Sequence, residues 1–177
     1  MPKEIGNLTK LKILFINNNN LTRLPKEIGN LKNLNALFMR DNQLIQLPKN
    51  FDNLKDLEIL KLSNNNLHRG LKKIENLPNL EELYLDNNRE LKGTLSLSDS
   101  TKLKILNIEN TQISKIKLKD VTNLFLVNIN NTQIKKLPPS ICEKLKEKTN
   151  RIKIEYSNLT DDKIFQTFCT SNQKHKI

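Results

Sequence analysis

Few side chains in this sequence are of the kinds that make and break bonds. The 177 residues include two histidines, His68 and His175, and two cysteines, Cys142 and Cys169. A metal site needs ligands spaced to close on one ion, and a nucleophilic thiol needs a positioned base. Neither histidine has sequence neighbours at metal-ligand spacing. His68 falls in a turn-like stretch and His175 in a polar tail. The carboxylate pairs Glu81-Glu82 and Asp161-Asp162 are adjacent in sequence, so on a strand they point to opposite faces and read as solvated. With four glycines in the chain there is no Gly-rich phosphate loop. The expectation is a protein without catalytic residues, metal, cofactor or small-molecule substrate.

Two cysteines are too few to build a fold on disulfides. Pairing across the C-terminal end is one alternative. Met1-Pro2-Lys3-Glu4 lacks the apolar stretch of an export signal, so free and mostly buried thiols are expected. No run approaches the roughly 18 apolar residues of a membrane span. The default compartment is therefore the cytoplasm, with a secreted or cell-surface location open if the N-terminus is truncated. The tripeptides at Asn7, Asn20 and Asn158 match the N-glycosylation pattern, which matters only in a eukaryotic secretory route.

What remains is recognition chemistry, and its placement depends on a repeat. Leu8, Leu11, Leu14, Ile16, Asn19, Leu21 and Leu24-Pro25 recur as Leu31, Leu34, Leu37, Met39, Asn42, Leu44 and Leu47-Pro48. They recur again as Leu54, Leu57, Leu60, Leu62, Asn65, Leu67 and Leu71, each 23 residues on except Leu71, which is 24. A fourth unit has Leu77, Leu80, Leu83, Leu85 and Asn88, followed by one inserted residue before Leu91. A fifth has Leu103, Leu106, Ile108, Thr111, Ile113 and Ile116, and a sixth has Leu124, Val127, Ile129, Thr132, Ile134 and Leu137-Pro138. Ile152, Ile154, Ser157 and Leu159 read as a degenerate seventh. Pro2-Lys3-Glu4-Ile5-Gly6-Asn7 matches Pro25-Lys26-Glu27-Ile28-Gly29-Asn30, so the chain opens in the back half of a unit. A fixed period of this length is the signature of a solenoid. The low apolar content, 36%, fits layers that each bury one narrow stripe.

These units resemble leucine-rich repeats of the 23-residue type, found in intracellular Ras-group proteins and in many bacterial ones. Lys3-Glu4-Ile5-Gly6-Asn7-Leu8 and its copy at Lys26 to Leu31 most resemble spirochaete sequences. The resemblance covers about residues 1–139. It implies an α/β, right-handed solenoid with a curved parallel sheet on the concave face and short helical, 3-10 or irregular segments on the convex one. It implies a non-catalytic protein-binding module, with a bacterial host-interaction or signalling role among its possibilities. A fragment of a larger multidomain protein is an alternative.

The physics of the unit follows from its spacing. Each Leu-x-Leu step alternates with period two and reads as a short strand with those side chains inward. The amide of Asn19, Asn42, Asn65 and Asn88 both donates and accepts, so stacked copies form a buried ladder. Thr111 and Thr132 replace it in the fifth and sixth units. A hydroxyl has one hydrogen and a shorter reach, so the ladder should be altered there. Leu-Pro opens the convex segment, which Ile28 and Phe51 anchor.

Outward positions on the strands then face the concave side. The central column reads Phe15, Phe38, Lys61, Tyr84, Asn107, Asn128 and Lys153, with Ile13 and Ile59 in the column before it and Arg40 and Asp86 in the column after. Ile13, Phe15, Phe38, Ile59 and Tyr84 should form a contiguous apolar stripe. Exposed aromatics near an Arg suit a protein-binding hot spot. The predicted partner-binding set is Ile13, Phe15, Phe38, Arg40, Ile59, Lys61, Tyr84 and Asp86, on a monomer.

Charge offers a second reading. The net charge is +11, and residues 101–177 hold 15 Lys and Arg against 7 Asp and Glu. Lys115, Lys117, Lys119, Lys135, Lys136 and Lys146 suggest nucleic acid or anionic lipid as an alternative partner, without interleaved aromatics to stack bases. Residues 140–170 read as a capping unit of helix, last strand and helix, with Ser140 or a neighbour capping the first helix. Residues 171–177 read as a frayed tail.

Overall fold

The computed structural model describes residues 1–147 and 152–170. Seven short strands stack side by side in one parallel sheet, one from each layer. They are β1 (Ile13–Phe15), β2 (Ala36–Phe38), β3 (Ile59–Lys61), β4 (Glu82–Tyr84), β6 (Ile105–Asn107), β8 (Leu126–Asn128) and β9 (Lys153–Glu155). Two further strands, β5 (Lys92–Ser96) and β7 (Gln112–Lys117), pair parallel in a separate two-stranded sheet.

In each three-residue strand the middle residue points inward. Leu14, Leu37, Leu60, Leu83, Leu106, Val127 and Ile154 stand in register across the sheet. From Leu37 onward this column is buried, as are Ile28 and Phe51 from the convex side. The convex segments are 3-10 turns at Lys3–Asn7, Lys26–Asn30 and Phe51–Asn53, then a helical turn, α1, at Leu71–Glu75. Gly29 lets successive convex segments approach. A Cβ there would clash with the Asn50 carbonyl oxygen and meet Asn50 Cβ at 2.8 Å. The structure is an α/β solenoid.

The turn after each strand is closed by the residue three positions past the inward Ile, Met or Leu. Asn65 shows the full set of contacts. Its Nδ2 donates to the carbonyls of Leu62 and Ser63 in its own turn and of Met39 in the layer before, and its Oδ1 accepts the Leu44 amide. Asn42 bonds likewise to Ile16, Met39 and Arg40 and accepts from Leu21, and Asn88 to Leu62, Leu85 and Asp86, accepting from Leu67. Asn19, in the first layer, is exposed and donates within its own turn to Ile16 and Asn17. Thr111 and Thr132 turn inward, and each hydroxyl donates to its own turn, at Ile108 and Ile129. Their reach ends there. Leu91, whose amide an Asn at 111 would take, donates to the Asn88 carbonyl of its own layer instead.

The second sheet was not anticipated, and it begins where Thr first replaces Asn. The Gln112 amide donates to the Leu91 carbonyl, and the Leu97 amide to the Lys117 carbonyl, so main chain takes over the joining of layers. Leu95, Ile113 and Ile116 pack this sheet onto the core.

The C-terminal unit consists of α2 (Pro139–Lys146), β9 and α3 (Asp161–Phe168). Three expectations need correction here. Cys142 and Cys169 are joined in a disulfide rather than free, because α2 and the end of α3 bring their Cα atoms to 5.6 Å, within bridging range. Ser140 does not cap α2. Pro138 precedes the helix with no side-chain cap, and the Ser140 hydroxyl donates to the Leu118 carbonyl of the layer before. Finally, β9 pairs two residues out of the expected register, with Lys153 beside Leu126 and Glu155 beside Asn128. A two-residue slip keeps every side chain on its face, so alternation alone cannot distinguish the registers. The expected frayed tail, 171–177, lies outside the described residues.

Candidate protein-binding face

On the concave side the outward residues of the first four strands form two adjoining columns. In the central column Phe15, Phe38, Lys61 and Tyr84 stand opposite one another in register. The Phe15 and Phe38 rings stack, with centroids 4.4 Å apart and planes 13° from parallel. Lys61 follows, its Nζ 5.7 Å from the Phe38 ring centroid and 4.4 Å from that of Tyr84. The column is thus ring, ring, cation, ring. The continuous apolar stripe read from the sequence is interrupted by an ammonium, which the ring faces on either side attract. Glu82, in the neighbouring column, fixes that ammonium at 3.2 Å.

Exposure is concentrated at one end. Phe15 is 67% exposed and Ile13 50%, while Phe38, Ile59, Lys61 and Tyr84 are half-buried. Arg40 is exposed, and its backbone amide is held by the Asn17 side chain. Asp86 is placed differently from the expected partner-binding role. It is 9% exposed, its carboxylate accepting from the Ser63 hydroxyl at 2.7 Å and from Asn87 Nδ2 at 3.2 Å. Those bonds hold Asp86 against Ser63 of the layer before, where it contributes charge more than contact. Burial, then the Glu82 and Asp86 carboxylates, push the Tyr84 phenol above its ordinary value, while Arg40 opposes them. Tyr84 therefore offers a protonated hydroxyl at neutral pH.

Toward β8 the same face changes character. Asn107 and Asn128 continue the central column, Asn128 donating to Glu109. Phe125, 49% exposed, lies just before β8.

The residues able to do bond chemistry are dispersed. His68 is exposed in the third layer's turn, and His175 lies outside the described residues. Glu81 pairs with Lys104 at 2.6 Å and Glu82 with Lys61. Among the described residues no three His, Cys, Asp or Glu are grouped to hold a metal ion. No described helix is long and apolar enough to cross a membrane.

Two features went unread in the sequence. Lys144 is buried on α2, and its ammonium donates to the carbonyls of Val121, Thr122 and Leu124. It ties α2 to the main chain ahead of β8, where the Val121 carbonyl also accepts the Leu124 amide. No repeat position marks it, because α2 occurs once. The other is a row of left-handed residues, Asn18, Asp41, Asn64, Asn87, Asn110 and Asn131, one before each ladder residue. Its signal, Asn or Asp at the repeat interval, stands in the sequence beside the ladder itself.

A leucine-rich repeat region model matches residues 2–109. Among curated proteins none matches. Of solved structures, a leucine-rich repeat protein of Leptospira interrogans is 28% identical, with a TM-score of 0.59 over 89% of this chain and 45% of that one. An internalin of Listeria monocytogenes is 27% identical, with a TM-score of 0.67 over 86% of this chain and 42% of that one. A plant peptide hormone receptor, RGFR1, in complex with RGF2, shares the fold at 24% identity and a TM-score of 0.63, over 80% of this chain and 28% of that one. The chain spans less than half the length of each of these structures. Repeat arrays of this fold are commonly protein-interaction modules. The match over residues 2–109 and the seven-layer parallel array lead to one family: this chain belongs to the leucine-rich repeat proteins.

Proposed function

We propose that this chain is a non-catalytic binding module that holds a protein partner on the concave face of its first four strands. The observation carrying this reading is the stacked Phe15–Phe38 pair beside Ile13, with Phe15 67% exposed on a sheet face that needs no aromatic to fold. Buried aromatics with a nearby Arg are the usual energetic centre of a protein interface. Phe15 and Ile13 supply apolar area, Arg40 a charged fork, and Tyr84 a hydroxyl at the far end. Lys61 is already engaged by two rings and Glu82, so it orients the rings more than it seeks a new partner. The kinship with leptospiral and internalin repeats supports a bacterial interaction role; the chain is proposed to act as a monomer.

The test is capture of a partner from cognate extracts by the intact chain, identified by mass spectrometry. The triple variant Phe15→Ala, Phe38→Ala, Tyr84→Ala should lose that partner while keeping its circular dichroism. Each truncated anchor is expected to cost about 2 kcal/mol or more of binding. Undiminished capture by a folded triple variant would refute the reading.

A further inference from the structure

The second sheet creates a surface unlike the concave face. Beside β7 the chain runs away after one contact, the Gln133 amide donating to the Ile113 carbonyl, and no third strand joins among the described residues. A groove of ≈ 890 Å³ follows, lined by Lys115, Lys117, Lys135 and Lys136 over a floor that includes Ile116 and Leu137. All four lysines are exposed, and both floor residues are buried. At the opposite edge, along β5, a second groove is lined by Arg69, Lys72, Lys73 and Lys92. No Asp or Glu lines either one. The acids nearby gather elsewhere: Asp99, Asp120, Glu143 and Glu147 line a different groove. Basic side chains therefore gather in the two grooves that flank the small sheet, where, among the described residues, Lys73 alone is paired, with Asp52.

We propose that the groove beside β7 docks an acidic, extended peptide segment of a partner protein. Charge complementarity sets the sign of the ligand, since four like charges with no acid between them favour an anionic guest. Three features favour a peptide over other polyanions. The floor is apolar, which suits alternate side chains of an extended chain. No aromatic lines the groove to stack a base, as single-stranded nucleic acids require. The groove also runs along a strand edge. Lys117 spends its carbonyl on Leu97 across the pair, so by alternation Ile116 directs its amide and carbonyl to the groove side. A peptide main chain can meet both, which is the basis of strand addition, and a lipid headgroup cannot. With Gln133 already on the Ile113 carbonyl, the four residues from Ser114 to Lys117 set the length of the contact at about 13 Å.

The test is fluorescence anisotropy with a labelled ten-residue peptide of alternating Glu and Val at low salt. The peptide should bind, and Lys115→Glu, Lys117→Glu, Lys135→Glu, Lys136→Glu together should weaken it at least about tenfold. The concave triple variant should bind it normally, which separates this site from the face proposed above. A copy of the peptide N-methylated at alternate amides should bind more weakly. The proposal is overturned if the peptide fails to bind or the fourfold reversal leaves its affinity intact. It is equally overturned if the N-methylated copy binds as well, or if oligothymidylate or phosphatidylserine vesicles bind as tightly.

Discussion

At the scale of single residues, six side chains carry the turn that makes each layer possible. Asn18, Asp41, Asn64, Asn87, Asn110 and Asn131 hold φ between 51° and 58°. An L-residue pays about 1–2 kcal/mol for that conformation, and Asn and Asp pay least because their short polar side chains bond locally. Several also bond from layer to layer, Asn64 to Asp41, Asn110 to Asn87 and Asn131 to Asn110. Asn18→Val should therefore destabilise by about 1–2 kcal/mol in urea unfolding, whereas Asn18→Gly should stay within about 0.5 kcal/mol of the parent. The ladder behind this row gives a matched prediction. Asn65→Ala strands the Leu44 amide and takes one donor from the carbonyls of Met39, Leu62 and Ser63, which keep Asn42, Asn88 and the Asp41 amide, at about 1–3 kcal/mol, while exposed Asn19→Ala should cost little. Tyr84 offers a third test. In a Tyr156→Phe background its phenolate absorbance should emerge above pH 10, and Glu82→Gln should bring it down. The raised value means that this contribution to stability is full below pH 10 and is lost as pH climbs through the folded value. The ladder asparagines were legible because they recur with the leucines. The left-handed row recurs as faithfully, but Asn and Asp are so common in this chain that composition hid it.

At the scale of elements, what was legible is what repeats. Strands β1 to β4, β6 and β8 follow from a column of inward Leu and Val that only one register satisfies. The elements that occur once were harder. The β5–β7 sheet arises from Ile113 and Ile116 on one side and Leu95 on the other, across the inserted residue, with a register shift at Gly93 and Thr94. That pairing is set by packing between layers, which no single unit encodes. The sequence leaves the disulfide open as an alternative to free thiols, but no single unit shows that Cys142 and Cys169, 27 residues apart on different helices, come together. Closing a loop of that length removes chain entropy from the unfolded state worth about 3.5 kcal/mol. Cys142→Ser with Cys169→Ser, or reduction of the parent, should lower the melting temperature of the C-terminal unit. Mass spectrometry of the unreduced protein after alkylation should find neither thiol labelled. Such a bond persists in oxidising surroundings and is rare where glutathione keeps thiols reduced.

At the scale of the whole molecule, stability should be graded along the array. In a solenoid each layer is held by its neighbours, so the free energy of opening depends on position. The first described layer is the least buried. Leu8 is 52% exposed, and Leu11, Leu14, Ile16 and Leu21 are all half-buried, whereas their third-layer counterparts Leu54, Leu57, Leu60, Leu62 and Leu67 are buried. The C-terminal side is closed by α2 and α3, with Ile141, Ile164 and Phe168 buried against the last layers. The array should therefore open from the N-terminal layer inward. Hydrogen exchange should show the β2 amides that bond to β1 exchanging before the amides between β3, β4 and β6. Leu60→Ala should cost about 2–5 kcal/mol and Leu14→Ala visibly less, because its site already meets water. This gradient bears on function, since the most exposed aromatic, Phe15, sits in the least stable layer. A partner bound to Phe15 and Ile13 would stabilise that layer by mass action, so saturating partner should slow exchange most in β1 and β2. Equal protection along the array with and without partner would place the contact elsewhere.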